Sequence, residues 1–429
     1  MNKIRTSPEE VKKGISSKKS DPALVDRFLE LDGKWRVLTT KFDETRSEQK
    51  KLGEAKKIEE AKKLKEKLKE LESELAEIEK QRTELLYKIP NLPFEDVPVG
   101  KDETDNKVIR SWGEIPKFTF KPKDHMQLGE ALDLIDTKTA SKVTGSRFNY
   151  LKGKLAMMEF AIVQHVFSLL SDKDFIKKMA VKIGPDFPAT PFIPVIPPVM
   201  INPETFTRMA RLDPGQEDER FYLPKDNLYL VGSAEHTLGP LHMDESIPES
   251  KLPIRYVGFS SAFRREAGSY GKDVQGILRV HQFDKIEIES FTLPGLSRQE
   301  QDFIVSIQEY LLQTLELPYQ VISVCTGDMG GPDARQIDIE TWMPGQNRYR
   351  ETHTSDLMTD YQSRRLKTRV KRNNGESELV HMNDATAFAI GRILIAIIEN
   401  YQTEKGTIRV PEALRKYIGE EEIGAENIG

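Results

Sequence analysis

The sequence predicts an α+β protein. An N-terminal antiparallel coiled-coil hairpin precedes a mainly antiparallel sheet flanked by helices. Three observations carry this. Apolar residues recur at 4-3 spacing between 64 and 89. Alternating strand patterns recur between 254 and 343, joined by hairpin-type and long connections instead of regular βαβ units. Residues 393–398 are apolar all round, the mark of a buried helix.

The hairpin comes first in the chain. Leu64, Leu68, Leu71, Leu75, Ile78, Leu85 and Ile89 form an a/d seam with one polar break at Arg82. Upstream, Leu24, Phe28, Leu31, Trp35, Leu38 and Phe42 repeat at three- or four-residue steps, which predicts a helix over 22–50. Gly53 stands between the two as the expected C-cap and turn. Pro90, Pro93 and Pro98 stop the second helix. A helix over 56–88 would make a rod of roughly 50 Å. Its charge is sorted: residues 50–69 hold nine lysines against four glutamates, and residues 70–84 hold six glutamates against one lysine and one arginine. A basic tip attracts a polyanion, and phosphate contacts dominate nucleic-acid affinity. A plain solvated helix face accounts for the lysines equally well.

Residues 101–125 are polar and read as a linker, so the domains expected are 1–100, 101–125 and 126–429. A mostly apolar helix is expected over 153–180. Phe192–Met200 carries Pro194, Pro197 and Pro198 and suits only an edge strand. Strands are expected at Ile254–Phe263, Leu278–Ile288, Tyr319–Cys325 and Gln336–Met343.

Composition bounds the function. With 38% hydrophobic and 31% charged residues, the chain is too apolar for a disordered protein and too charged for a membrane protein. The net charge of −5 leaves nucleic-acid binding to a local basic surface. One cysteine, Cys325, excludes an intrachain disulfide and a cysteine-based zinc cluster, and fits a reducing compartment. No two of the seven histidines stand at metal-ligand spacing, so no zinc is expected. The polar start lacks an apolar signal core, and the runs Ala156–Leu170 and Phe388–Ile398 are broken by polar residues. A cytoplasmic protein with no membrane segment is expected.

Three segments can carry chemistry. In the first, strand period two puts Arg279, His281, Phe283, Lys285 and Glu287 on one face, and Arg264 and Glu266 share a face across the glycine-bearing loop Ser269–Gln275. Arginine forks bind phosphate, a phenyl ring stacks a base and a carboxylate accepts from an amine, so the face suits a nucleotide. A cross-strand ion-pair ladder is the plainer reading. In the second, Arg392 opens the buried helix and needs an anionic partner, either a nearby carboxylate or a ligand phosphate. In the third, Tyr349–Asp356 is dense in oxygen donors that suit Mg²⁺. Glu351 and Thr354 differ by three and would face opposite ways on a regular strand. Both reach one ion only at a bulge or strand end.

Together these segments resemble the bacterial type of seryl-tRNA synthetase, a class II aminoacyl-tRNA synthetase, almost from end to end. The hairpin with Ile89-Pro90-Asn91 and Val97–Gly100 resembles that family's tRNA-binding arm. Gly145–Phe148 with Leu151-Lys152-Gly153 resembles the start of its catalytic domain, and the helix after it with Pro197-Pro198 resembles the class II dimer motif. Phe263–Gly268 with Arg279–Glu287 is similar to the second class II motif, and Ala389–Arg392 with Glu399–Gln402 to the third. Cys325–Gly330, Pro344–Asn347 and Tyr349–Glu351 are also very similar to family segments.

The resemblance implies activation of L-serine by Mg²⁺·ATP, transfer to tRNA(Ser) with tRNA(Sec) as a further acceptor, and a homodimer. It implies catalytic roles for Arg264 and Arg392 on the α- and γ-phosphates, and ATP contacts from Arg265, Glu266, Phe283 (stacked on adenine), Glu351, Thr352, His353 and Thr354. Glu351 and Thr354 would hold Mg²⁺. Ser233, Ala234, Glu235, Arg264, Glu287, Asp384 and Thr386 would bind serine, and Lys56, Lys57, Lys62, Lys63, Lys65 and Lys67 would meet tRNA. The chain departs from the family pattern at Ser233, where Thr is usual. It departs at Glu351–Thr354, which replaces Glu-Ile-Ser-Ser, and at Asn383–Ala387, which replaces Leu-Asn-Gly-Ser-Gly. Asp384 thereby adds a carboxylate to the expected amino-acid pocket. Two other readings fit at this point: a same-fold ligase for another small amino acid or carrier, and a non-catalytic RNA-binding coiled-coil homologue.

Overall fold

The computed structural model describes residues 1–212, 217–266 and 276–424. Contacts divide the chain into a unit of residues 1–104 with 325–331 and a unit of residues 105–324 with 332–429.

The first unit is built on α1 (Ala23–Glu54) and α2 (Ile58–Lys88). The predicted a/d residues are its inward stripe, from Leu64 through the buried Leu71 to the buried Ile89. The polar break is filled by an ion pair: buried Arg82 donates to Asp32 at 2.7 Å and lies 4.1 Å over the Trp35 ring. Arg5 adds a two-pronged contact to the same carboxylate, and these hydrogen bonds hold Asp32 below its ordinary pKa. The turn corrects the expectation for Gly53, which is still helical. Lys56 takes the left-handed position (φ +57°), with Lys57 N–H bonded to Leu52 O and Lys56 N–H to Gly53 O, a Schellman closure three residues later than expected. Two short helices, Asn2–Thr6 and Pro8–Ser17, precede the hairpin and bury Ile4, Val11 and Ile15 against Val25, Phe28 and Ile89.

The second unit holds an eight-stranded sheet. Its strands are β1 (Lys107–Trp112), β2 (Ile193–Val195), β3 (Ile254–Phe263), β4 (Gln282–Thr292), β5 (Tyr319–Ser323), β6 (Arg335–Met343), β7 (Arg348–Thr359) and β8 (His381–Ala389), in the order β1-β5-β6-β7-β8-β4-β3-β2. All pairs are antiparallel except β2 with β3. The proline-bearing strand is at the edge, where its missing N–H costs nothing. Residues 101–125 are not only a linker: β1 completes the other edge by pairing with β5. Every β1 side chain is exposed, so no burial pattern marked it in the sequence. The strand expected from Leu278 begins at Gln282, because Gly276 turns with φ +79° and buries Ile277 and Val280 instead.

Helices α3 (Gly153–Ser171), α4 (Ser297–Thr314) and α5 (Ile390–Asn400) pack on this sheet. The helix expected over 153–180 is broken at Asp172, whose carboxylate caps a second helix, Lys173–Ile183, through Phe175 N–H at 2.7 Å. Among the described residues α3 alone is long and apolar enough to cross a membrane. Its Leu155, Met158, Ile162, Val166 and Leu170 belong to the core around the sheet. Gly258, opposite Glu287 in the β3–β4 ladder, admits Leu238 so closely that a β-carbon would meet it at 2.7 Å. That contact seats the short helix Glu235–Leu238 beside the strand face described below.

On α3, Glu159 is buried and hydrogen-bonded to Asp284, and burial with this second carboxyl pushes its pKa up to about 9. The folded chain therefore keeps a proton that the unfolded chain loses near 4.5. The stability this contributes is complete below the unfolded value and is lost as pH rises toward 9. Glu159→Gln is expected to raise the melting temperature at pH 9 by a few degrees and change it little at pH 5, read by thermal melts at both pH values.

Candidate active site

Two cavities share a wall on the β4, β7 and β8 face. One, of about 140 Å³, is bordered by Phe283, Glu351, Thr352, Ala389, Gly391 and Arg392 among others. The other, of about 410 Å³, is bordered by Arg211, Arg220, Ser233, Glu235, Glu287, Asp356 and Asp384 among others. Arg264, Glu266, Lys285, Thr354 and Thr386 line both.

Strand alternation delivers Phe283, Lys285 and Glu287 to this face, as the period predicts. Arg264 leaves the end of β3, donates from Nε to Gly232 O at 3.1 Å, and has its guanidinium carbon 5.4 Å from the Phe283 ring centre. Burial, with Arg392 close by, lowers its pKa from the ordinary arginine value. Glu266 follows with φ +50°, and its carbonyl accepts from Arg147 at 2.8 Å. Ala267, Gly268 and the loop Ser269–Gln275 lie outside the described residues.

The oxygen-rich segment is strand, with the required irregularity. The β6–β7 register runs Ile339↔His353 and then Glu340↔Glu351, so Thr352 is an inserted bulge residue. The bulge brings Glu351 and Thr354 to the same cavity. Arg392 is not fully buried (its side chain is 26% exposed), and it pairs with Glu351, donating to Oε1 at 3.0 Å and to the carbonyl at 2.8 Å. One carboxylate and one hydroxyl beside arginines is the partial ligand set that Mg²⁺ accepts when phosphates supply the rest.

Three expected residues are not brought to the cavities. The His353 ring turns into the core, fully buried and 5.0 Å from Phe388 edge-on. Burial lowers its pKa to about 3, which keeps it neutral. Arg265 donates to Arg220 O and lies 4.6 Å over Phe221. Ala234 is fully buried ahead of the helix Glu235–Leu238. Thr352 borders the smaller cavity, but its hydroxyl is engaged by Thr341 and His353.

The larger cavity is rich in carboxylates. Ser233 donates to Glu287 at 2.6 Å, and Lys285 also pairs with Glu287. Burial raises Glu287 in spite of these partners. Glu235 accepts from Arg211 at 2.7 Å and from Gln362 at 3.1 Å. Burial alone would raise its pKa, but Arg211 and its other neighbours hold it at about 2. Arg211, Arg220, Lys285 and Asp356 were not singled out as site residues in the sequence. Lys285 was visible through strand period. Arg211 and Arg220 sit in irregular chain with no pattern to mark them.

A mainly antiparallel sheet with arginines over two joined polar cavities is the architecture of a class II aminoacyl-tRNA synthetase. Comparison with known proteins agrees. A family model described as "tRNA synthetase class II core domain (G, H, P, S and T)" matches residues 220–401, and one described as "Seryl-tRNA synthetase N-terminal domain" matches residues 1–93. A serine–tRNA ligase of Dictyoglomus turgidum is 41% identical, covering 98% of each chain. The chain belongs to the seryl-tRNA synthetase family. Among solved structures, seryl-tRNA synthetase from Pyrococcus horikoshii complexed with ATP superposes with a TM-score of 0.87 at 34% identity, covering 98% of both chains. Cytoplasmic serine-tRNA ligase from Naegleria fowleri in complex with AMP gives 0.82 at 30% identity, covering 97% of this chain and 95% of that one.

Proposed function

We propose that the chain is a serine–tRNA ligase. The observation that carries this reading is the shared wall: Arg264, Glu266, Lys285, Thr354 and Thr386 border both the cavity lined by Phe283 and Arg392 and the cavity lined by Ser233 and Glu287. A carboxylate held in one and a triphosphate in the other meet beside Arg264.

In the first step a serine carboxylate oxygen attacks the α-phosphorus of ATP in line. The new C–O–P bond gives seryl-adenylate, and the bond to pyrophosphate breaks. In the second, a ribose hydroxyl at the tRNA 3′ end attacks the activated carbonyl, the carbonyl C–O bond to the phosphate breaks, and the departing AMP phosphate takes up the hydroxyl proton. Neither step needs a protein nucleophile; positioning and charge stabilisation suffice. Arg264 holds the α-phosphate and the serine carboxylate, and Arg392 holds the γ-phosphate. Phe283 stacks on adenine and Glu266 contacts the nucleotide. Glu351 and Thr354 would hold Mg²⁺, which supplies positive charge to the phosphates when bound. Ser233 and Glu287 form a hydrogen-bonded pair that, with Glu235, Thr386 and Asp384, receives the ammonium and hydroxyl of serine. Such a site rejects analogues lacking the hydroxyl by large factors, because its buried polar groups would be left unpaired.

The exposed Lys56, Lys57, Lys62, Lys63, Lys65 and Lys67 hold tRNA(Ser) by its phosphates, and tRNA(Sec) by the same means. A second copy of the chain covers the exposed Met157, Phe160, Ile193 and Ile196, giving a homodimer. The reaction belongs to the cytoplasm.

ATP–pyrophosphate exchange with serine, threonine, alanine and glycine tests the reading. Exchange with serine well above the other three supports it. Preference for another amino acid favours the same-fold ligase, and ATP binding with no exchange favours the non-catalytic homologue.

A further inference from the structure

Asp384 stands where the family pattern has a neutral asparagine, and a bare carboxylate there is costly. In the ladder it is flanked by Glu289 of β4 and Asp356 of β7, both in direct register. Glu235 is adjacent and both carboxylates border the larger cavity. One cation meets both: Arg211 donates from Nε to Glu235 Oε1 at 2.7 Å and from Nη2 to Asp384 Oδ2 at 3.2 Å. Its guanidinium is well covered, with the side chain 18% exposed. Asp384 Oδ1 is buried and receives no hydrogen bond.

We propose that Arg211 is a positioning residue for the amino-acid substrate. It ties Glu235 to Asp384 from one side, so that the three together present one net negative charge to the substrate's α-ammonium. This deepens the serine–tRNA ligase reading and rests on it. With asparagine at 384 and no arginine, Glu235 alone would supply that single charge. Asp384 adds a negative charge and Arg211 cancels it, while the fork fixes the orientation of both carboxylates. Burial, Glu235 and Asp356 raise the Asp384 pKa, Arg211 opposes them, and an arriving ammonium adds a second cation that favours the ionised carboxylate.

The charge count separates three variants. Asp384→Asn leaves Arg211 and Glu235 in balance, with nothing left over for the ammonium. Arg211→Gln leaves two adjoining buried carboxylates without their cation. Arg211→Gln with Asp384→Asn restores a net charge of minus one. In serine-dependent ATP–pyrophosphate exchange, each single variant is expected to raise KM for serine about tenfold or more, with KM for ATP held within about twofold. The double variant is expected to recover most of the loss. Additive losses in the double variant, equal effects on the KM of ATP, or an Asp384→Asn enzyme with unchanged KM for serine would overturn the proposal. Asp384→Asn is nearly isosteric, so its KM decides the matter even where Arg211→Gln fails to fold. Wild-type enzyme without serine-dependent exchange would remove the ligase reading itself. Wild-type activity with additive variants removes only the role of Arg211.

Discussion

Arg264→Ala is expected to lower serine-dependent ATP–pyrophosphate exchange by about 100- to 1000-fold, the range seen when one preorganised donor to a developing charge is removed. Its guanidinium lies on the wall common to both cavities, so in the proposed reaction it faces the carboxylate, the α-phosphate and the charge that develops between them. The neighbouring cations are engaged elsewhere: Lys285 pairs with Glu287, and Arg220 donates to Arg211 O. Arg392 is held by Glu351, and Arg265 is turned onto Phe221. Among the described residues the Arg264 side chain makes one hydrogen bond, to Gly232 O, so truncation frees that carbonyl and removes the contact with the Phe283 ring. The loss should therefore fall on exchange and leave the melting temperature nearly unchanged. Arg264→Lys keeps the charge without the fork and should recover only a small part. Exchange within about tenfold of wild type in the alanine variant would remove Arg264 from the centre of the reaction.

What the sequence revealed depended on how each feature is held in place. The arm was legible because a two-helix hairpin buries a narrow stripe, and such a stripe must repeat in the sequence. Its polar break at Arg82 is filled by Asp32, which Arg5 also holds, and no periodicity connects the three. Strands β3 and β6 were legible through alternation. The edge strand β1 was not, since backbone ladders hold it and no side chain is buried. At the site, the facing of Phe283 and Glu287 followed from period two. The meeting of Glu351 with Thr354 turned on a single inserted residue, Thr352, which sequence spacing could name as a condition but not locate. The same bulge leaves the His353 ring in the core, so residues adjacent in one motif part company. Arg211 lay beyond reach because its two carboxylate partners come from distant segments.

Replacing Lys62, Lys63, Lys65 and Lys67 by alanine is expected to raise KM for tRNA in the serylation reaction by about tenfold to a hundredfold, with exchange in the absence of tRNA within about twofold of wild type. All four side chains are exposed on α2, and among the described residues none of the four is in an ion pair. Their loss therefore costs the hairpin little, and alanine favours the helix. The seam residues beside them, Leu64 and Leu68, are untouched. Every described residue bordering the two cavities of the exchange reaction belongs to the second unit, and the four lysines belong to the first. Backbone neutralisation also has a signature that misfolding lacks. Each lost phosphate contact lowers the slope of log affinity against log salt by about one, so the quadruple variant should show a flatter salt dependence as well as a weaker complex. A parallel fall in exchange and serylation would show that the lysines support the fold or the chemistry. Unchanged tRNA affinity at low salt would return them to an ordinary solvated helix face.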